Sequence, residues 1–483
     1  QVYAWDSEPF GRAAAGLWRI TSQVNTGLTS RTDNFFALRQ GGSIPYYVND
    51  GNLAGDVFTT AVGNDSNNGF LPSTPKATLQ ALLDAVDLEP GDVVYVDTGT
   101  YAFNVDTVWT DLDSGVSTNS VILRGSTNLT AGGTILDRVT GEGAALVLDR
   151  VEGIDIRGFI FRNASYGVLL EFCKSVTVRD SQLVNNFADG IRIAGSTETH
   201  LVNNLFWNNE IYGVHVLQLD KGSLFSPGNV YAINNTIWGS AAALRFGRGA
   251  SGELRNNLLQ ANGPSSRILT MAEGITNIVS DYNAIYRQAG ALMGERESEF
   301  GGNIFFSRLQ DWQHDQGNDL RSVTHDPQVA NPLGGDFHPL SANGRFLING
   351  TVVNDSPGTF SPLLDTGDPS FAWTNETAPN GQRVNIGNFG DHRQASRSRT
   401  NGWLLALSLN DGGRLAGATN KIYWAAGGWP TSSLLRLELA LDGVDFAVVA
   451  SNLPVYTDGY VLDVSGYPVS RLAKWRIISE QDP

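Results

Sequence analysis

The chain has 483 residues, more than the roughly 250–300 at which one hydrophobic core stops growing, so we expect several domains or one elongated repeat structure. Charged residues make up only 17% and hydrophobic residues 41%, which excludes a coiled coil and a disordered chain. The net charge of −16 disfavours nucleic-acid binding, and the single cysteine excludes internal disulfides. No apolar stretch approaches the ~18 residues of a membrane span.

The N-terminal third begins with an extension and one predicted helix. Residues 1–45 contain too little predicted sheet to fold alone, and we interpret them as the possible tail of a preceding module. The first firm strand begins at Tyr46. A helix follows, with Thr74 as its cap and Pro75 at its first position. Its apolar face consists of Leu79, Leu82, Leu83 and Val86. The run 92–97 (DVVYVD) is typical of a buried strand.

A loose repeat occupies the chain from about 91 to 300. Strands of alternating polarity start at Gly167, Gly190 and Gly213, and later versions start at Ala243 and Arg267, at intervals of 23 to 30 residues. This period indicates stacked units that bury their apolar faces against one another. The sequence lacks a sustained helical period and the leucine-rich pattern, so short strands between Asn and Gly turns favour a right-handed parallel β-helix.

Paired asparagines mark the turns of this repeat. They occur at Asn185-Asn186, Asn203-Asn204, Asn234-Asn235 and Asn256-Asn257. In a β-helix, equivalent residues stack at ~4.8 Å, and their amides can hydrogen-bond along the stack. We therefore predict that these four pairs share one turn column.

Several phrases of the sequence resemble the pectate-lyase-like right-handed β-helix superfamily. They are 88–101 (LEPGDVVYVDTGTY) after the helix, then His325-Asp326-Pro327, 361–369 (SPLLDTGDP) and 381–390 (GQRVNIGNFG). The resemblance implies an all-β fold, with a parallel β-helix and its N-terminal cap helix over 46–396. Through the known members of that superfamily, it also favours activity on carbohydrates.

The residues after Ser396 have a different pattern. Six predicted strands, separated by turns, are typical of a fibronectin- or immunoglobulin-like β-sandwich at 398–483. The predicted strands are Trp403–Leu409, Lys421–Ala425, Leu434–Leu441, Phe446–Ala450, Tyr460–Val464 and Leu472–Ser479. A solenoid followed by a sandwich resembles modules of large secreted bacterial proteins, so we expect a secreted or cell-surface location.

The alternation of the repeated strands identifies a candidate site. It points Arg192, His215 and Arg245 outward on successive coils, ~4.8 Å apart, in a column bounded by Leu169 and Leu269. Basic groups this close repel one another, which favours a bound anion. A second column beside it contains Tyr166, Asp189 and Tyr212.

These residue types suit elimination on a uronic-acid polysaccharide. Such a lyase neutralises the sugar carboxylate, removes the adjacent C–H proton and assists the leaving oxygen. The predicted roles are neutralisation by Arg192 and Arg245, proton abstraction by His215 or Lys221, proton donation by Tyr212, and substrate contact by Tyr166 and Asp189. Calcium could replace arginine as the neutralising group, with Asp189, Glu210 and Asp220 as its oxygen ligands.

Two other functions remain open. A glycoside hydrolase needs two carboxylates roughly 5–9 Å apart, for which Asp189 with Glu210, or Glu171 with Asp189, are candidates. The chain could instead be a non-catalytic carbohydrate-binding or adhesive module of a large cell-surface protein. In each case we predict a monomer whose partner is a polysaccharide.

Overall fold

The computed structural model describes residues 13–16, 19–21, 29–31, 36–38, 43–221, 224–226, 228–288, 290–298, 301–347, 349–417 and 419–481. In the strands before residue 43, and over 219–226, it describes the backbone alone. The chain forms two compact units, Gln1–His200 with Leu219–Ser226, and Leu201–Gln218 with Pro227–Pro483. None of the described helices is long and apolar enough to cross a membrane.

The first unit is built on three parallel sheets. Successive coils of the chain add one strand to each sheet in turn. Its first sheet contains Pro45–Val48, Val93–Val96, Val121–Gly125, Glu152–Arg157 and Lys174–Arg179. Its second sheet contains Gly99–Phe103, Thr134–Arg138, Phe159–Arg162 and Gln182–Val184. Its third sheet contains Val108–Trp109, Ala144–Asp149, Tyr166–Glu171 and Asp189–Ala194. The strand Thr199–Val202 contains the boundary between the units.

The second unit repeats this arrangement. One set of parallel strands is Asn229–Ile233, Ser251–Arg255 and Ile278–Asp281. Another is Leu205–Trp207, Thr236–Trp238, Leu258–Ala261 and Ala284–Arg287. The third is Tyr212–Leu217, Ala242–Phe246, Arg267–Met271 and Leu292–Arg296, on which Ile304–Phe306 pairs antiparallel. The predicted parallel β-helix is confirmed.

Alternating polarity explains why these segments fold as coils. Ile191 and Ile193 are fully buried, whereas Arg192 between them is partly exposed. Val214 and Val216 are also fully buried. Inward residues of successive coils thus fill the interior, and each buried isoleucine or valine contributes roughly 1.5–3 kcal/mol.

Asparagines form a hydrogen-bonded ladder in the second unit. The backbone N and Nδ2 of Asn204 donate to Oδ1 of Asn235 at 3.0 and 3.1 Å. Asn235 donates in the same way to Asn257, and Asn257 to Asn283. The stacked turn is thus confirmed for three of the predicted pairs and extends by one further residue.

The prediction is wrong for the fourth pair. Asn185 and Asn186 follow the short strand Gln182–Val184 of their coil and lie before Asp189–Ala194. The ladder residues instead lie before the short strand of their own coils, as Asn204 lies before Leu205–Trp207. In its own turn, Asn186 accepts a hydrogen bond from the backbone N of Ala164 at 3.2 Å. Paired asparagines therefore occur at two kinds of turn, which the sequence repeat does not distinguish.

The N-terminal helix begins later than predicted. It spans Leu79–Leu83, and its cap is Thr78, whose side chain accepts a hydrogen bond from the backbone N of Ala81. Thr74 instead donates from its hydroxyl to Asn68 at 2.9 Å. The residues after Thr74 are extended, because Lys76 forms a parallel bridge with Val48.

The C-terminal residues form two three-stranded antiparallel sheets. One contains Trp403–Ala406, Asn420–Gly427 and Gly459–Leu462, and the other contains Leu434–Ala440, Ala447–Pro454 and Lys474–Ser479. A buried cluster joins Trp403 and Tyr423 of this region to Leu258 and Ile386. The predicted domain boundary at residues 396–398 therefore lies between two parts of the second unit that share this buried cluster.

Short elements complete the described chain. The second α-helix is Leu309–Gln316, and the 3-10 turns are Asp111–Asp113, Leu129–Ala131 and Pro332–Gly334. Antiparallel strand pairs are Ala13–Gly16 with Phe36–Leu38, Arg19–Thr21 with Thr29–Arg31, Leu219–Lys221 with Leu224–Ser226, Val329–Asn331 with Asp336–Pro339, and Arg345–Phe346 with Val352–Val353.

Candidate functional site

In the first unit, the third sheet carries the first two members of each predicted column side by side. Tyr166 is in register with Asp189, and Leu169 is in register with Arg192. The guanidinium of Arg192 lies over the Tyr166 ring, with its carbon 4.0 Å from the ring centroid. This close cation–π contact fixes the arginine against the aromatic face.

Asp189 is fully buried, and its carboxylate pairs with Arg192. Nε of Arg192 donates to Oδ2 of Asp189 at 2.8 Å, while the arginine side chain remains 27% exposed. Burying a carboxylate is costly unless it is paired. Asp189 therefore holds Arg192 in place instead of presenting its carboxylate to solvent.

In the second unit, His215 and Arg245 are directly in register on neighbouring strands. Nη1 of Arg245 donates to the Tyr212 hydroxyl at 3.3 Å, and the rings of Tyr212 and His215 lie 4.7 Å apart. Nη2 of Arg245 donates to Oε2 of Glu297 at 2.8 Å. An imidazole, a phenol and a guanidinium are thus grouped on one outer surface.

Arg245 retains one unused donor. Its Nε is buried and has no hydrogen-bond partner among the described residues. A buried donor without a partner costs roughly 1–3 kcal/mol. Because this atom is buried, a ligand would meet the exposed 27% of the Arg245 side chain instead.

The upper end of the predicted column is shifted by one residue. Arg245 is in register with Thr270, and buried Leu269 is in register with Leu244. The expectation that Leu269 faces outward is wrong. Ile268 and Leu269 are adjacent and both apolar, so alternation in the sequence leaves the inward position ambiguous.

The structure adds two acidic residues that the sequence pattern did not single out. Glu295 is in register with Thr270 and forms an ion pair with Arg267, and Glu297 pairs with Arg245. Glu297 lies 52 residues along the chain from its partner. The only sequence signal was a charged run, Glu295-Arg296-Glu297, after the last repeated strand.

Other predicted residues are placed as follows. Asp220 and Lys221 belong to the strand Leu219–Lys221, of which the structure describes only the backbone. Glu210 is exposed in the turn before Tyr212–Leu217. Among the described side chains, no three of His, Cys, Asp or Glu are grouped as metal ligands. A calcium site at Asp189, Glu210 and Asp220 stays a prediction.

One carboxylate pair predicted for a hydrolase is separated too widely. Glu171 is in register with Ala194, at the opposite end of the strand from Asp189. At ~3.3 Å per residue the two side chains start roughly 16 Å apart, beyond the 5–9 Å that such enzymes use. The Glu171–Asp189 pair is therefore wrong, and the Asp189–Glu210 pair stays a prediction.

Comparison with known proteins gives one family match. A family model described as periplasmic copper-binding protein (NosD) matches residues 101–288, less than half of the chain. No curated protein matches the sequence.

Solved structures similar to this chain are distant. The major allergen from cedar pollen, Jun a 1, is 12% identical over 54% of this chain and 72% of its own, with a TM-score of 0.36. An alginate lyase from Paenibacillus sp. str. FPU-7 is 14% identical over 46% of this chain and 88% of its own, with a TM-score of 0.28. A lacto-N-biosidase from Eubacterium ramulus is 12% identical over 53% and 66%, with a TM-score of 0.27.

Proposed function

We propose that the chain is a polysaccharide lyase that cleaves a uronic-acid polysaccharide by β-elimination at Tyr212, His215 and Arg245. The observation that carries this proposal is their grouping on the outer face of neighbouring strands, where Arg245 bonds Tyr212 and is in register with His215. These are the three kinds of group that elimination needs.

Each residue has a defined role in the proposed reaction. Arg245 pairs with the sugar carboxylate through the exposed part of its guanidinium and thereby acidifies the C–H bond beside that carboxylate. His215 takes this proton, a carbon–carbon double bond forms, and the glycosidic C–O bond breaks. The Tyr212 hydroxyl gives its proton to the leaving oxygen. Substrate contact by the first-unit residues Tyr166, Asp189, Arg192 and Lys221 stays a prediction.

The family match bears on the proposed location. The matching family is described as periplasmic, which supports a place outside the cytoplasm, where polysaccharides are met. The description also names copper, but the described residues contain no group of three or more His, Cys, Asp or Glu suited to a metal. The proposal therefore includes no copper site.

The test is a panel of uronic-acid polysaccharides, with calcium and with a chelator, followed by ultraviolet absorbance. Elimination creates a conjugated double bond, so absorbance should rise on at least one polymer. Replacement of His215 by alanine should abolish the rise. His314→Ala, at an exposed histidine of the helix Leu309–Gln316, is the matched control and should retain it. Reducing ends without absorbance would indicate a hydrolase.

A second candidate is a non-catalytic polysaccharide-binding module. It is favoured by the ion pairs Arg192–Asp189 and Arg245–Glu297, because exposed arginines that already have carboxylate partners serve solubility and rigidity without any reaction. Binding of a polyuronate without absorbance change or new reducing ends would support it.

A further inference from the structure

A different column of large side chains runs along the first sheet of the first unit. Backbone pairing places Tyr47 beside Tyr95, Tyr95 beside Arg124, Arg124 beside Arg157, and Arg157 beside Arg179. All five side chains are partly exposed. At ~4.8 Å per strand the column is roughly 19 Å long. We call Arg124, Arg157 and Arg179 the arginine ladder.

The positive charge of the arginine ladder exceeds the negative charge beside it. Asp155 pairs with both Arg157, at 2.9 Å, and Arg179, at 2.8 Å. Asp180, which follows Arg179, is the other carboxylate that raises the pKa of Arg157. Burial, followed by the charges of Arg179 and Arg124, lowers that pKa below its ordinary value. Within the described part of the chain, Arg124 pairs with no carboxylate.

Arg124 sits against aromatic rings instead. Its guanidinium carbon is 5.9 Å from the Phe58 ring centroid and 6.0 Å from that of Tyr95. The Tyr95 ring stacks on the Tyr47 ring at 5.5 Å with an interplanar angle of 15°. Cation–π contact orients the guanidinium without neutralising its charge. Its five N–H donors therefore remain available to an anion.

We propose that this column is a binding surface for an acidic polysaccharide, made of residues other than Tyr212, His215 and Arg245. The arginine ladder would bind the carboxylates or sulfates of successive sugars, since guanidinium groups form charge-assisted bonds to such anions. The exposed parts of the Tyr47 and Tyr95 side chains would pack against neighbouring sugars. The proposal does not depend on the lyase activity.

Charge favours a polysaccharide over double-stranded DNA as the occupant. Double-stranded DNA carries one charge per ~1.7 Å, and its binders use many phosphate contacts. The column offers three arginines on a chain whose net charge is −16, which would repel so dense a polyanion. A chain with about one charge per sugar matches the sparse, regularly spaced cations better.

The experiment measures binding by calorimetry in the full chain carrying His215→Ala, so that the polymer is not consumed. The probes are polygalacturonate, the same polymer with its carboxyls reduced, and polyuridylate. Arg124→Ala should weaken polygalacturonate binding about tenfold, the effect of losing one charge-assisted contact. Arg124→Lys, which keeps the charge, should remain within about threefold of the parent. Thermal melting of each variant verifies the fold.

Lys174→Ala is the matched control. Lys174 lies on the strand that carries Arg179, is 51% exposed and pairs with Glu152 outside the column. Its loss should leave binding unchanged. Equal affinity of folded Arg124→Ala and the parent, equal binding of the carboxyl-reduced polymer, tighter binding of polyuridylate, or no binding of polygalacturonate would each overturn the proposal. Binding that is about tenfold weaker in Arg124→Ala and unchanged in Lys174→Ala supports it.

Discussion

Arg192 and Asp189 form an ion pair within one strand, with Nε of the arginine 2.8 Å from Oδ2 of the buried carboxylate. The pair turns an outward arginine into part of the folded structure, because Asp189 is fully buried and depends on its partner.

Arg192→Ala should lower the free energy of unfolding by about 2 kcal/mol, since it removes the cation from a buried carboxylate. Denaturant unfolding measures the change. The double variant Arg192→Ala with Asp189→Asn should recover part of the loss, because an amide is cheaper to bury than an unpaired charge. Equal stability of Arg192→Ala and the parent would show that the pair contributes nothing.

Glu297→Gln should strengthen substrate binding if Arg245 pairs with the sugar carboxylate. Glu297 holds Nη2 of Arg245 at 2.8 Å, so the substrate competes with an internal anion. We expect KM to fall about threefold to tenfold with a smaller change in kcat, whereas Arg245→Ala should worsen both parameters. Steady-state kinetics on the substrate found by absorbance tests this, and a raised KM in Glu297→Gln contradicts it.

Asn235→Ala should destabilise the second unit by about 3 kcal/mol, because several buried hydrogen bonds disappear together. Nδ2 of Asn235 donates to the Leu201 carbonyl and to Asn257, and its Oδ1 accepts from Asn204. Asn375→Ala, at an exposed asparagine bonded to Asp391, is the control and should cost under about 1 kcal/mol. Equal losses of stability in the two variants would show that Asn235, in the asparagine ladder, contributes no more than an exposed asparagine.

Glu376 should make stability fall as pH rises. Burial raises its pKa from 4.5 to about 8. Between these values the unfolded chain releases the proton and the folded chain keeps it, so the free energy of unfolding decreases with increasing pH. Glu376→Gln should therefore be more stable than the parent at pH 9 by roughly 2–4 kcal/mol, with the difference vanishing near pH 4.

Chemical denaturation across this pH range provides the measurement for Glu376. Glu273→Gln changes an exposed carboxyl of the same unit and should show no such trend. A stability difference between Glu376→Gln and the parent that is constant with pH would mean that Glu376 ionises normally in the folded protein.

Much of the fold followed from local features of the sequence. Strands of alternating polarity, at intervals of 23 to 30 residues and separated by Gly and Asn turns, permit few structures other than stacked coils. Alternation also identified the outward side chains of single strands, such as Arg192 between buried Ile191 and Ile193. These inferences succeed because a strand's two faces are set by its own residues.

The tertiary structure decided which residues meet across coils. Coils differ in length, so the backbone pairing sets the neighbours, as when Thr270 and not Leu269 lies beside Arg245. The partner Glu297 and the arginine ladder depend on the same register. Alternation within a strand says which way a side chain points, but only hydrogen bonding between strands determines the residue beside it, and hence its charge, its burial and its chemistry.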